Sequence, residues 1–153
     1  MGGVLETLVT GIPAGVGEPW FDSLESVLSH GLFSIPAIKG VEFGQGFSCV
    51  DMLGSEMNDS FKLDNGEIVT ETNNNGGING GISNGMPVIF RCAFRPTPTI
   101  SRPQNTVDFV ALQNETLEAK GRHDPCIVPR ALPAIEAAIC LALLDIYSEV
   151  KPL

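Results

Sequence analysis

The short segment of residues 121–126 brings together more chemically active side chains than any other stretch of the chain. Arg122, His123 and Asp124 place a permanent cation, a titratable ring and a carboxylate at three consecutive positions. Lys120 precedes them, and a nearly unbroken apolar run begins at residue 131. Such groups at the edge of a core can bind an anion and move a proton. The segment therefore predicts a ligand-binding or catalytic site.

Arg122 and Asp124 have two interpretations that the residues alone leave open. They can form a structural ion pair that closes the loop before a helix, or they can act on a ligand directly. Glu136 lies inside the apolar run that follows and is costly to bury unless it is paired. Arg130 is its predicted partner.

Two further segments have residue types suited to binding. Residues 73–85 contain five glycines and five asparagines, which allow backbone N–H groups to approach a ligand closely. They match neither common phosphate-loop pattern, so a flexible turn and an anion or cofactor cradle are both possible. Residues 95–99 read Arg-Pro-Thr-Pro-Thr, either a proline-stiffened strand exit or an extended segment that offers hydroxyl groups to a ligand.

Composition limits the kind of protein this is. The chain has 153 residues, 43% of them hydrophobic, which fits one globular domain. Its net charge of −9 argues against binding nucleic acid or an anionic membrane. The charge is uneven, because residues 1–90 contain two lysines against eleven acidic residues, whereas residues 91–130 have a net charge of +2. The cations therefore cluster around residues 95–99 and 121–126.

The cysteines and the apolar C-terminal run predict a soluble cytoplasmic protein. The four cysteines, at positions 49, 92, 126 and 140, have no C-x-x-C spacing, so we expect buried thiols in a reducing cytosol. Neither histidine has a partner at ligand spacing, and we expect no metal site. Glu136 and Asp145 interrupt the apolar run, which argues against a membrane span.

The order of the predicted elements fits an α+β layer with helices between or against sheets, and the pattern alone leaves several folds open. Asp22 and Glu25 suggest a capping box for a helix that extends to about residue 32. A second helix, apolar nearly all round, is expected to be long, central and buried, with Pro133 in its first turn. Polar residues 54–75 predict a mobile loop. Strands are predicted at residues 4–10, 38–43, 47–52 and 87–94, with a weaker one at 107–112.

Four segments, taken together, carry a family resemblance. Residues 34–44, 72–85, 94–100 and 121–136 resemble, in order and spacing, the C-terminal half of chorismate synthase. The resemblance implies that residues 1–153 are one domain, the C-terminal portion of a sandwich in which helices lie between antiparallel sheets. It also implies that the N-terminal half, with its two signature histidines, lies outside this chain.

The resemblance further implies a function. Chorismate synthase eliminates phosphate from 5-enolpyruvylshikimate 3-phosphate to give chorismate, and it needs reduced FMN although the net reaction is redox-neutral. NADPH is implied as a source of reducing equivalents, and the family is a cytoplasmic homotetramer. The alternative is a non-catalytic structural or flavin-binding domain without turnover of its own.

The resemblance also implies site residues. Asp124 and Arg122 would be catalytic, and Arg122 would also contact FMN. We expect residues 76–85, 95–99 and 121–124 to converge on one cleft. The other implied FMN contacts are Pro36, Ala37, Gly80, Arg95, Pro96, Thr97, Pro98 and Thr99.

Overall fold

A strand with alternating buried residues forms the centre of the structure. The computed structural model describes residues 1–149. The helices and strands are, in chain order, β1 (Gly3–Val9), α1 (Leu24–Phe33), β2 (Ile38–Phe43), α2 (Gly54–Met57), β3 (Phe61–Asp64), β4 (Glu67–Thr70), β5 (Ile78–Asn79), β6 (Ile82–Ser83), β7 (Val88–Phe94), β8 (Gln104–Asp108), β9 (Gln113–Leu117) and α3 (Val128–Glu149).

The main sheet has the order β1-β7-β2, and both pairs of strands are antiparallel. Val88, Phe90, Cys92 and Phe94 of β7 are all buried, as a strand with one covered face requires. The seven residues of β7 separate its two ends by roughly 20 Å. Any site at one end of this strand is therefore distinct from a site at the other.

Helices α1 and α3 cover one face of this sheet and pack against each other. Leu24, Leu28 and Leu32 of α1 are fully buried, at the three- and four-residue spacing of one helical face. Gly31 allows close approach, because a Cβ there would lie 3.9 Å from the Cβ of Ala142 on α3. The α+β class is confirmed. The described residues form two layers rather than a full sandwich, since the second face of the helices has no sheet against it within residues 1–149.

The C-terminal helix, predicted to be central and buried, is buried on one face only. Ile135, Ile139 and Ile146 enter the core, but Leu141 and Leu144 are 69% and 73% exposed. The helix also begins at Val128, so Pro133 lies inside it rather than in its first turn, and predicted residue 150 lies outside the described residues. Helices covered on one side only leave the other apolar side open, which the sequence pattern cannot show.

Residues 128–148 are long and apolar enough to cross a membrane, with a mean hydropathy of 1.6. Core helices of soluble proteins pass the same test by length and composition, and three isoleucines of α3 belong to the core described above.

Helix α1 was predicted with its cap one residue early. Ser23, rather than Asp22, is the N-cap, and its Oγ accepts a hydrogen bond of 3.1 Å from the Ser26 amide. The predicted strand at 47–52 is wrong, because Gly46–Asp51 forms a 3₁₀ helix. Phe47 and Val50 are largely exposed there, and β2 pairs with β7 instead.

One predicted loop and one predicted strand have a local structure that differs from the prediction. Residues 54–75, predicted as a mobile loop, contain α2 and the β3–β4 hairpin, so they are regular structure; their mobility remains a prediction. The weak strand predicted at 107–112 is instead centred on the turn between β8 and β9. Phe109 and Leu112 are exposed at that turn, and their apolar character imitated a strand signal.

The cysteines are free, but they are not uniformly buried. Cys92 is buried in β7, and burial raises the pKa of its thiol to about 11. Cys140 lies on the open side of α3 and is exposed, contrary to prediction. Cys49 and Cys126 are half-buried.

Candidate functional site

Two of the predicted segments meet where β7 ends. The chain leaves β7 at residue 95, and the loop before α3 returns to the same place, so that the Thr97 hydroxyl donates a hydrogen bond of 3.4 Å to the carbonyl of Asp124. Between them lies a cavity of about 430 Å³. It is lined by Met1, Pro96, Thr97, Thr99, Ile100, Ser101, His123, Asp124, Pro125 and Cys126.

Pro36 and Ala37 lie at this same end of the sheet. They directly precede β2, whose first residue, Ile38, pairs with Phe94. The Arg95 amide donates a hydrogen bond of 3.0 Å to the carbonyl of Ala37. Ala37 has a φ of +77°, a conformation that costs a residue with a side chain about 1–3 kcal/mol. Backbone strain of this kind is concentrated at functional sites.

Asp124 forms an ion pair, but with an unexpected partner. Arg130 Nη1 lies 2.5 Å from Asp124 Oδ2, whereas Arg122 is exposed and makes no ion pair within residues 1–149. The predicted pair between Arg130 and Glu136 is wrong, because Glu136 is exposed and needs no compensation. The turn into α3 places residue 130 back over residue 124. Oδ1 of Asp124 is the carboxylate oxygen that Arg130 does not engage.

Three arginines adjacent in sequence to lining residues have no acidic partner in the described part of the chain. Arg95, Arg102 and Arg122 are exposed, and each is a direct chain neighbour of a lining residue. Arg91, by contrast, is held on the sheet by Glu42 at 3.0 Å. Unpaired guanidinium groups attract phosphates and carboxylates. The charge cluster predicted from the sequence therefore lies next to the lining residues along the chain.

His123 contributes a buried polar atom whose bonding is incomplete. Its Nε2 is shielded from solvent and has no hydrogen-bond partner among residues 1–149. Buried polar atoms without a partner are rare in folded proteins. Further polypeptide or a bound ligand would supply the missing partner. No group of three or more His, Cys, Asp or Glu side chains in the described residues is placed to hold a metal ion.

The Asn/Gly loop, residues 73–85, does not join the cavity. The Ile89 amide, at the start of β7, donates to the carbonyl of Gly76, so the loop lies at the strand's opposite end. The structure brings Pro96, Thr97 and Thr99 together with His123 and Asp124, but it places residues 76–85 at the other end of β7, so the three segments do not converge on one cleft within the described residues. Gly80 is exposed there, with a φ of +61° and nothing within 4 Å of where a Cβ would stand. Its assignment to the flavin stays a prediction.

Several cavity residues were missed because they have no chemical signature of their own. Ile100 and Ser101 continue the segment after Thr99, and Met1 lies against it from the start of the chain. Their proximity to the predicted segments was the available signal. Asp59 was also missed, because it lies in the polar stretch that predicted a mobile loop.

Comparison with known proteins gives a consistent result. The family model described as chorismate synthase matches residues 1–147. Two relatives named chorismate synthase come from Thermococcus gammatolerans, 50% identical over 145 residues, and Opitutus terrae, 52% identical over 145 residues. Each alignment covers 95% of this chain, but only 41% and 40% of those relatives.

A solved structure titled "Crystal Structure of Chorismate Synthase" is also similar. It has a TM-score of 0.74 and 31% sequence identity, and the match covers 95% of this chain and 36% of that one. The chain thus spans about two fifths of the length of the curated relatives it matches. On this evidence the chain belongs to the chorismate synthase family.

Proposed function

We propose that this chain forms part of a chorismate synthase, a lyase that eliminates phosphate from 5-enolpyruvylshikimate 3-phosphate to give chorismate. The observation that supports the proposal most is the cavity between residues 95–99 and 123–126, with three exposed arginines next to its lining residues in the sequence. The substrate carries a phosphate and two carboxylates, so it needs such a set of cations. The family membership and the geometry thus favour the same chemistry.

The residues at the cavity also suit FMN. Pro96, Ile100 and Pro125 offer apolar surface for a ring, while Thr97, Thr99 and Ser101 offer hydroxyl groups to a phosphate or ribityl chain. The shielded Nε2 of His123 lacks a partner in the described residues. Residues 95–99, with Pro36, Ala37 and Arg122, would hold the flavin. When bound, reduced FMN supplies electron density transiently in a reaction with no net redox change.

The chain's own residues would act mainly through charge and position. Arg95 and Arg122 would bind the leaving phosphate or the substrate carboxylates, and guanidinium groups held in place stabilise developing negative charge without reorganisation. Asp124 would accept or release a proton through Oδ1, while Arg130 holds Oδ2. The Thr97 contact to the Asp124 backbone keeps the two segments in register.

Other parts of the proposal rest on the family resemblance. NADPH would be the source of reducing equivalents for the flavin. The active assembly would be a cytoplasmic homotetramer, and no nucleic acid or membrane partner is proposed. These properties would require polypeptide beyond the two fifths of the relatives' length that this chain spans.

A second candidate function is a structural or flavin-binding domain without turnover of its own. The limited coverage of the relatives favours it, and so do the exposed leucines on the open side of α3. Apolar surface of this kind usually meets further polypeptide. The two candidates differ in whether chemistry occurs, rather than in the fold.

A chimera distinguishes the two candidates. In it, this chain replaces the matching segment of the Thermococcus gammatolerans relative, to which it is 50% identical. Phosphate release and chorismate formation are assayed with reduced FMN for the chimera, the isolated chain and the unmodified relative. We expect turnover from the chimera and none from the isolated chain, because half of a site cannot meet the positional demands of the reaction. A folded, inactive chimera would contradict the proposed activity.

A further inference from the structure

His123 is a half-buried ring on the wall of the cavity, next to Asp124. Its two nitrogens have different surroundings. Nε2 is shielded from solvent and has no hydrogen-bond partner among residues 1–149. Nδ1 forms no hydrogen bond in that part of the chain either, but it is not one of the shielded polar atoms, so it remains accessible. The ring therefore presents Nδ1, rather than Nε2, to a molecule in the cavity.

The chain just before the ring contributes to the shielding of Nε2. A Cβ on Gly121 would lie 4.0 Å from Nε2 of His123 and 3.8 Å from Cε1 of the same ring. The Gly121 backbone thus lies beside this edge of the imidazole. A ligand would have to turn the ring to reach Nε2, whereas it can reach Nδ1 with the ring as it stands.

These surroundings favour one position for the ring proton. A neutral imidazole carries its proton on one nitrogen, and the environment of the two nitrogens determines which one. A proton on Nε2 would make a buried donor without an acceptor, and such donors are rarer in proteins than buried acceptors without a donor. A proton on Nδ1 avoids this cost, because an accessible donor can bind water or a ligand. The tautomer with the proton on Nδ1 is therefore favoured.

The acceptor for this proton is left to the ligand. Nδ1 bonds no lining group in the described chain, and the carboxylate of Asp124 is engaged through Oδ2 by Arg130. Arg95 and Arg122, which neighbour lining residues along the chain, are exposed and have no acidic partner within residues 1–149. Unpaired guanidinium groups favour an anionic ligand. A phosphate or carboxylate oxygen is an acceptor of the kind that an imidazole N–H requires.

We propose that His123 is a binding residue, which carries its proton on Nδ1 and donates a hydrogen bond from there to an anionic oxygen of the ligand in the cavity. This inference rests on the proposed function, which places FMN and the phosphorylated substrate at this cavity. Both molecules carry such oxygens. The bond orients the ligand and transfers no proton. A purely structural His123 would fill space, and neither the position of its proton nor the identity of its donor atom would matter for binding.

The first experiment locates the proton in the wild-type chain. Long-range ¹⁵N–¹H correlation spectra of the imidazole rings are recorded at about pH 8.5, where an imidazole is ordinarily neutral. His30, which is exposed on α1, gives the spectrum of a solvated ring for comparison. We expect the proton of His123 on Nδ1. A spectrum with the proton on Nε2 of His123 would overturn the inference.

The second experiment compares His123→Asn with His123→Gln in the chimera. The amide nitrogen of Asn lies close to the position of Nδ1, whereas that of Gln lies close to the position of Nε2. Flavin fluorescence gives the Kd for FMN, and turnover gives the KM for the substrate. For His123→Gln we expect one of the two constants to rise about 10-fold, as for one lost hydrogen bond, and for His123→Asn a rise of less than about 3-fold. A rise in the Kd identifies the flavin as the ligand, and a rise in the KM alone identifies the substrate.

The same two substitutions at His30 are the matched controls and should change neither constant. Folded His123→Gln with both constants unchanged would overturn the inference. Equal losses in the Asn and Gln variants would show that the volume of the ring matters, rather than Nδ1, and would also overturn it. If neither variant folds, the position of the proton in the wild-type chain decides. A wild-type chimera that binds no FMN would contradict the proposed function, while the spectrum would still locate the proton of His123.

Discussion

The two ends of β7 are built in opposite ways. At the end near residue 95, arginines are unpaired within the described chain, Ala37 is strained, and an open cavity separates two segments. At the end near residue 88, the polar groups around Asp59 are bonded to one another, and glycines fill the remaining space. At the end near residue 95, charged groups and an open cavity thus remain available to bind a ligand. At the second end the Asp59 carboxylate is satisfied by neighbouring groups, and within residues 73–85 only Asn79, Gly80 and Gly85 are exposed.

This difference shows that residue type alone misleads about rigidity. An Asn/Gly-rich segment is usually interpreted as flexible, yet here its asparagines donate to Asp59, Pro87 and the carbonyl of Glu56. The Arg-His-Asp sequence suggests an internal ion pair, yet Asp124 is paired with Arg130 and Arg122 is exposed. The contacts that decide both cases are made by residues that are not neighbours in the sequence.

The largest expected effect on stability comes from the packed base of the loop. Gly76→Ala should lower the free energy of unfolding by roughly 3–5 kcal/mol, because its Cβ would overlap backbone atoms and its φ of +66° disfavours a side chain. Gly80→Ala is the matched control, with the same substitution at a similar φ but in open space, and should cost only about 1 kcal/mol. Chemical denaturation measures both. Equal losses would contradict the contrast between a rigid base and an accessible tip.

An intermediate effect is expected from acid. Burial alone would raise the pKa of Asp59, but hydrogen bonds from three nearby residues lower it from its ordinary 3.8 in the folded chain. The charged carboxylate therefore adds fully to the free energy of unfolding above pH 3.8, and this stabilisation is lost as the pH falls below that value. Asp59→Asn should cost about 1–3 kcal/mol near neutral pH and flatten the decline in stability below about pH 3.8. Hydrogen bonds from Ala111 and Val110 also lower the pKa of Asp108, but that carboxylate accepts two hydrogen bonds rather than the four that Asp59 accepts, so Asp108→Asn should change the acid limb less. Denaturation curves across this pH range that coincide for wild type and Asp59→Asn would refute the role of its charge.

The smallest effect is expected from the ion pair at the cavity. Arg130 is 78% exposed at its side chain, so Arg130→Ala should lower the free energy of unfolding by less than about 1 kcal/mol. Added salt should reduce the difference further, since exposed pairs are screened. Thermal melts at low and high ionic strength measure this. A loss of unfolding free energy well above about 1 kcal/mol would contradict this and would mean that the pair between Asp124 and Arg130 is mainly structural.

Parts of the fold were predictable because local patterns determine them. β1, β2, β7 and α1 follow alternation or three-to-four spacing, and the structure places them within a residue or two of the prediction. The 3₁₀ helix at Gly46–Asp51 was not predictable in this way. Its apolar residues are largely exposed, so they carry no information about a covered face. The open side of α3 escaped prediction because hydrophobicity indicates what a helix tends to bury, not what is present to bury it.

The site was predictable to a similar degree. Residues 95–99 and 121–124 were identified from their chemistry, and two prolines and a charged triplet are strong local signals. The pairing of Asp124 with Arg130 depends on how the loop turns into α3, which no local pattern determines. Nothing in the sequence around Asp59 marks it as important, because its hydrogen-bond donors belong to three residues that lie 13 to 16 positions away.

The proposed function requires chemistry at the Asp124 end of β7, and substitution of Asp124 is its sharpest test. Asp124→Asn in the chimera keeps the size of the side chain but removes its charge. We expect turnover to fall about 10²–10⁴-fold, as for a lost general acid–base group, while FMN affinity and melting temperature stay nearly unchanged. Asp108→Asn, which changes a half-buried carboxylate at the β8–β9 turn, is the control and should keep full turnover. Near-normal turnover with a lowered melting temperature would contradict the claim and make Asp124 only the structural partner of Arg130.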